Sequence, residues 1–371
     1  MRVLYVFRSL AVWGGIERVL VDKMNSLVSM YGYEVYMITT DQGNHIIPYH
    51  LDEGVHLEDI GIQFHLQYQF SGFRRLKDEY RRMKNFEVKL SSRIKEITPD
   101  LIVCTTTDPV LSITRVKGEI PLIVEAHNIC IRAFGEKGLH QRIVAWLLKK
   151  GLQKTSCLVT LTVGDAVEWR KIISHVEVIP DMVHLNTGNC SSLDSKRIIF
   201  VGRFDYQKRP LEMIKIWQQV YPSYPDWHLD IYGDGEQLNN VKDLAHSLNM
   251  NIHVHLPTSQ IFDAYRMSSI LVSTSLFEPF GLVLPEAMSC GLPIVAYDCP
   301  YGPSMIITNG KNGYLVKTGD IPSFAKKLCS LMGDTVLRHE MGKDAIESSK
   351  NYESKIIMPL WLSLFERLNH D

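Results

Sequence analysis

Short apolar runs recur along nearly the whole chain, separated by stretches whose apolar residues fall at helical spacing. Uninterrupted runs suit strands buried on both faces, and their alternation with amphipathic helices is the pattern of parallel sheets covered by helices. In the first half, residues 3–7, 34–39, 101–104, 122–125 and 157–161 read as strands, with helices over 16–28 and 73–97 among those between them. The pattern restarts at 197–201 and continues at 228–232, 251–255, 270–274 and 293–297. Residues 180–195 (PDMVHLNTGNCSSLDS) are polar and turn-rich, the composition of a linker. The fold class is therefore α/β with two open parallel-sheet domains, placed at 1–182 and 183–352, with residues 353–371 following.

Composition sharpens this picture. A chain of 371 residues suits two domains, and 45% hydrophobic against 22% charged residues lets each bury a core. Lys and Arg number 40 and Asp and Glu 41, a net charge of −1, without the basic excess of a dedicated nucleic-acid binder. No apolar run approaches the ~18 residues of a membrane-spanning helix, and the N-terminus lacks a small-residue cleavage site. Seven scattered cysteines with no CxxC pair suit reduced thiols in a cytoplasmic protein.

In open α/β sheets the loops after the strands carry the ligands. The richest such loop is SLFEPFGLVLPEAMSCGLPIVAY, residues 275–297. Glu278 lies in the loop after a strand, and a helix is expected to begin near Pro285 and to end at Gly291. Glu286 then falls in the first helical turn, where two roles fit it: complementing the helix dipole, or joining free N–H groups that hold phosphate. Arg203 and Lys208 follow another strand, and two cations there suit a diphosphate, arginine bridging two oxygens and lysine acting as a point charge. Gly14 and Gly15 precede a helix and permit close approach of backbone to ligand, without forming the G-x-G-x-x-G of a nicotinamide dehydrogenase.

The string from Glu278 to Ala296 resembles the E-x7-E motif of retaining glycosyltransferases of family 4, which have the GT-B fold of two Rossmann-like domains facing a central cleft. WGGIER (13–18), VEAHN (124–128), VGRFDYQK (201–208) and GPSMIITNGKNGYLV (302–316) resemble further segments of that family in the same order. The resemblance implies that Arg203 and Lys208 bind the donor diphosphate and stabilise it as leaving group. It implies that Glu278 contacts the transferred sugar, Glu286 the ribose, and that Phe280, Gly281 and Leu282 offer backbone amides. By the same resemblance His127 hydrogen-bonds a sugar hydroxyl, Gly14 and Gly15 lie against the donor phosphates, and the terminal helix packs back on the first domain. Gly233-Asp234-Gly235 fits either the nucleotide-base side or a plain turn.

The implied activity is transfer with retention from a nucleotide sugar, a UDP-hexose or UDP-N-acetylhexosamine, to a saccharide or lipid-linked saccharide in surface-polysaccharide assembly. No D-x-D triplet occurs, so no metal and no other cofactor is expected, the two cations taking the metal's place. Two rivals are a sugar-nucleotide epimerase or hydrolase of the same architecture and a non-catalytic partner that binds nucleotide sugars. Asp181 and Met305 depart from the family's usual asparagine and glutamate. Residues 73–97 carry nine cations against four carboxylates and, with QRIVAWLLKKGLQK (141–154), fit either a core-packed helix with a solvated face or a contact with anionic lipid. The expected location is the cytoplasm, at the inner face of the membrane, with no nucleic-acid partner.

Overall fold

Strands that must bury both faces need nearly continuous apolar sequence, and the first sheet is made of such segments. In the computed structural model, which describes residues 1–135 and 138–370, they are β1 (Arg2–Phe7), β2 (Glu34–Thr39), β3 (Val55–Asp59), β4 (Leu101–Thr105), β5 (Leu122–Ala126), β6 (Cys157–Thr160) and β7 (Val176–Val178). Between them run α1 (Gly15–Ser29), α2 (Gly72–Ile97), α3 (Val110–Val116), α4 (Cys130–Phe134), α5 (Leu139–Leu152) and α6 (Val163–Trp169). All pairings are parallel, in the order β3-β2-β1-β4-β5-β6-β7. The order reverses at β1, so the loops after β1 and β4 flank the crevice where ligands of such sheets bind.

A second sheet repeats the plan with β8 (Arg197–Val201), β9 (His228–Tyr232), β10 (Ile252–His255), β11 (Ile270–Ser273), β12 (Ile294–Asp298) and β13 (Gly313–Lys317). Its helices are α7 (Pro210–Val220), α8 (Leu238–Ser247), α9 (Ile261–Arg266), α10 (Val283–Ser289), α11 (Gly302–Ile306), α12 (Ile321–Gly333) and α13 (Thr335–Ser349). The order is β10-β9-β8-β11-β12-β13, again all parallel, and its crevice lies between the loops after β8 and β11.

The chain forms two compact units, Met1–Met182 together with the residues from Ile357 onward, and Val183–Ile356. The last helix, α14 (Ser354–His370), puts Trp361, Leu364 and Phe365 into the first unit's core beside Val3, Tyr5 and Met24. Its apolar residues recur at helical spacing, which gives it one face to bury.

Several segments differ from the sequence reading. The strands β3, β7 and β13 are absent from the sequence reading: only Val55 of β3 is buried, β7 has three residues, and β13 overlaps the end of the 302–316 segment. Residues 183–195 form no helix or strand, yet they are not a free linker. The Asn186 N–H donates to Ser289 Oγ at 2.9 Å, the Ser191 N–H to the Cys290 carbonyl at 2.8 Å, and Leu193 is buried in the same unit. In α2 the core-packed reading holds for the second half. Phe86, Leu90, Ile94 and Ile97 are buried, whereas Phe73, Leu76 and Tyr80 are exposed. The helix stops at Thr98, in the left-handed region with φ 47°, one residue before Pro99 disfavours further helix. The seven cysteines are free, and among the described residues no helix is long and apolar enough to cross a membrane.

Candidate functional site

In the second unit the loops after β8 and β11 are tied together by side chains from both. Asp205 accepts the Lys208 N–H at 2.9 Å and tightens the turn after β8. Gln207 reaches across, donating to the Phe277 carbonyl at 3.1 Å while its own carbonyl accepts the Leu276 N–H at 2.8 Å. Thr274 Oγ1 donates to the carbonyls of Lys208 and Arg209, both at 3.0 Å. The aliphatic stem of Lys208 passes over Gly202, where an added Cβ would lie 3.2 Å from Lys208 Cγ. Its Nζ meets Glu278 Oε2 at 2.5 Å, and Ser275 Oγ donates to the same oxygen at 3.1 Å. Both side chains of this pair are mostly buried, a strong and demanding arrangement, since either charge alone would be costly to keep there.

Arg203 stands beside the pair with its guanidinium 69% exposed, held by Gln207 at 3.0 Å and Asp205 at 3.2 Å. It presents its remaining donors to solvent.

The backbone around Glu278 is fixed against the end of β12. Its N–H donates to the Pro300 carbonyl at 2.6 Å, and its carbonyl accepts from Tyr301 at 2.9 Å and Gly302 at 2.8 Å. A Cβ on Gly302 would lie 1.8 Å from the Phe280 carbonyl oxygen, so only glycine fits. Gly281 has φ +99°, and a Cβ there would come within 2.9 Å of Glu278 Cγ. Phe280 is buried, its ring edge-on to Tyr352 at 5.2 Å. The N–H groups of Phe280, Gly281 and Leu282 make no hydrogen bond among the described residues.

Glu286 falls in the first turn of α10, as expected, but that turn starts earlier than expected. The helix begins at Val283, not Pro285, so Glu286 is its fourth residue and its N–H already donates to the Leu282 carbonyl at 3.2 Å. With seven residues and that amide engaged, α10 does not offer the free helical N–H groups expected at Glu286. Its carboxylate is buried and accepts the Tyr265 hydroxyl at 3.2 Å. Gly233 and Gly235 are explained by packing. A Cβ on Gly233 would lie 1.9 Å from the Gly202 carbonyl oxygen and 2.6 Å from the Phe204 ring, and Gly235 adopts φ +148°.

The first unit holds Gly14, Gly15 and His127. Gly14 caps α1 and accepts the Tyr49 hydroxyl at 3.0 Å on its carbonyl. The Glu17 carboxylate folds over it, and a Cβ on Gly14 would lie 2.1 Å from Glu17 Oε2. Burial raises the Glu17 pKa above its usual value.

His127 directly follows β5 and is buried among charges that the sequence reading did not join. Lys23, 1% exposed on α1, meets Glu125 Oε1 at 2.5 Å, and its ammonium lies 3.8 Å over the Trp361 ring. Glu125 Oε2 is 3.2 Å from His127 Nε2, and Asp181 Oδ1 is 3.8 Å from His127 Nδ1. Burial alone would raise the Glu125 pKa, but Lys23 and then His127 hold it down to about 2. Burial pushes Asp181 up to about 6 despite His127. For His127 burial acts downward, and the carboxylates of Glu125 and Asp181 overcome it, leaving its pKa above the usual value. Lys23 occupies a position of α1 where the helical pattern calls for an apolar residue, which is the signal by which sequence could have found it.

Residues 189–348 match the family described as Glycosyl transferases group 1. An uncharacterized glycosyltransferase of Haemophilus influenzae is 29% identical over 94% of this chain and 95% of its own length. An exopolysaccharide phosphotransferase of Streptomyces coelicolor is 32% identical over 53% of this chain, but the match spans only 21% of that longer protein. A variant of TarM from S. aureus, solved with Fondaparinux, alpha-GlcNAc-glycerol and UDP, superposes with a TM-score of 0.78 at 15% identity, over 98% of this chain and 99% of its own. The unit holding Arg203, Lys208, Glu278 and Glu286 thus matches a glycosyltransferase family across residues 189–348, and the chain has the two Rossmann-like units of the GT-B fold.

Proposed function

We propose that this chain is a retaining, metal-independent glycosyltransferase that moves a hexose or N-acetylhexosamine from a UDP-sugar to a saccharide or lipid-linked saccharide in surface-glycan assembly. The observation that carries this reading is the Lys208–Glu278 pair at the reversal point of the second sheet, with Arg203 exposed after β8 and three backbone N–H groups near Glu278 that make no hydrogen bond among the described residues. The match of residues 189–348 to the glycosyl transferases group 1 family and the UDP bound in the TarM structure support it.

In the proposed reaction the bond from the sugar's anomeric carbon to the diphosphate oxygen breaks, and the acceptor hydroxyl oxygen bonds that carbon from the same face. The hydroxyl proton passes to the departing diphosphate. Arg203 and Lys208 neutralise the charge that develops on that leaving group, and fixed cations cost no reorganisation as the bond breaks. Lys208 would exchange part of its contact with Glu278 for phosphate, leaving the carboxylate to orient the sugar. The test is a thermal-shift panel of UDP-, GDP- and ADP-sugars with and without EDTA. One UDP-sugar should raise the melting temperature equally in both conditions, and Arg203→Ala should abolish the shift. A shift that EDTA removes would overturn the metal-independent reading.

The proposed location at the inner face of the cytoplasmic membrane rests on α5 and the first half of α2. Leu139, Ile143, Trp146, Phe73, Leu76 and Tyr80 are exposed, and Arg74, Lys77, Arg142, Lys149 and Lys150 are exposed among them. Apolar side chains set among cations suit an anionic bilayer surface. The protein should float with phosphatidylglycerol vesicles at low salt and be released as salt rises. Equal flotation with phosphatidylcholine vesicles would remove the electrostatic part of the argument.

A further inference from the structure

His127 sits at the junction of four elements that each bring a charge or a wall to it. From α1 come Lys23 and Glu17, from β5 Glu125, from the loop after β4 Asp108, and from the segment after β7 Asp181. Tyr5 of β1 and Trp361 of α14 enclose the Lys23 ammonium, with ring centroids at 5.7 and 3.8 Å. Lys23 pairs with Glu125, and a protonated imidazole places a second cation 3.8 Å from Asp181 and 3.2 Å from Glu125.

The geometry leaves one ring nitrogen, Nδ1, unpaired. Nε2 is buried and lies 3.2 Å from Glu125 Oε2. Nδ1 is 3.8 Å from Asp181, too far for a hydrogen bond but close enough for strong attraction in a dry site. Asp181 thus supplies charge without consuming the Nδ1–H group.

We propose that Lys23, Glu125 and Asp181 are positioning residues that hold His127 as an imidazolium with its Nδ1–H left for a ligand oxygen. The ligand class rests on the glycosyltransferase reading and is a sugar hydroxyl; the protonation state does not depend on it. Glu125 and Asp181 attract the imidazolium, while Lys23 repels it and restrains Glu125. Their removal therefore moves the ring in opposite directions, which a merely structural cluster would not do.

The experiment is a histidine titration of the full chain by NMR, with ring carbons labelled, alongside the pH profile of transfer. His127 should titrate above the ordinary 6.5 of a histidine. Asp181→Asn should lower its midpoint by about one pH unit and Lys23→Met should raise it. The alkaline fall of kcat should move with the ring in each variant, with KM little changed. Lys23→Arg should restore the wild-type profile. Asp181→Asn preserves shape and serves if Lys23→Met folds poorly. A His127 midpoint at or below 6.5, or one that Asp181→Asn leaves unmoved, overturns the proposal. So does an alkaline limb that stays fixed while the ring's midpoint moves. Lack of transfer from every nucleotide sugar, with both opposed ring shifts present, counts against the glycosyltransferase reading and sustains the imidazolium.

Discussion

Replacing Lys208 by alanine should lower kcat for transfer about 10²- to 10³-fold, the loss typical of removing one donor aimed at developing negative charge. The side chain is in position to act on two partners. It holds Glu278 in place through a 2.5 Å contact, and it is the buried member of the cation pair after β8. Its removal leaves Glu278, also mostly buried, with only the Ser275 hydroxyl at 3.1 Å. The second unit should therefore lose stability as well as activity. Glu278→Gln separates the two effects, because it retains a hydrogen-bonding partner for Lys208 while removing the carboxylate. Steady-state kinetics and urea unfolding of both variants check this. A kcat within about threefold of wild type in Lys208→Ala would exclude the leaving-group role, since even one lost charged hydrogen bond exceeds that.

Lys23→Ala should destabilise the first unit by about 3–5 kcal/mol, because it strands a buried carboxylate without its cation. The double variant Lys23→Met with Glu125→Leu should recover most of that loss, since a well-packed apolar pair avoids the desolvation of both charges. Urea unfolding at pH 7 measures the difference. Its pH dependence has a definite sign. The carboxyl of Glu125 is held at about 2 in the folded protein against an ordinary 4.5, so its contribution is complete above 4.5 and is lost as pH falls towards 2. In Lys23→Ala that depression is relieved, and the gap between variant and wild type should narrow below pH 4.5. A gap that stays constant from pH 7 to pH 3 would mean that the ion pair is not what the mutation removes.

The sequence disclosed most of the central strands, because a strand buried on both faces has to be written as a continuous apolar run. Thus β2, β8 and β9 coincide with their predicted limits. The edges were harder to read, since β3 and β7 need cover on fewer sides and carry polar residues. The start of α10 was misplaced because Pro285 is tolerated throughout the first helical turn, where its missing N–H costs little. Position after a strand makes Arg203, Lys208 and Glu278 candidates, and only the motif resemblance around them singles them out. Their contact was not legible, because 70 residues separate Lys208 from Glu278 and only the β8–β11 pairing brings them together. The same holds for Lys23 and Glu125, 102 residues apart. A charge on the apolar stripe of α1 signals that a partner is needed without saying where it lies.

The return of α14 to the first core imposes an order on the birth of the protein. Val183–Ile356 is a continuous stretch and is complete once its last strand and helices have left the ribosome. The first unit, though synthesised earlier, waits for Trp361, Leu364 and Phe365, the residues that seal Tyr5, Met24 and the Lys23 ammonium from water. Until α14 has been made, the Lys23–Glu125 pair lacks the Trp361 ring that covers it in the folded unit. The later-made unit does not depend on α14 for its core, whereas the earlier-made one does.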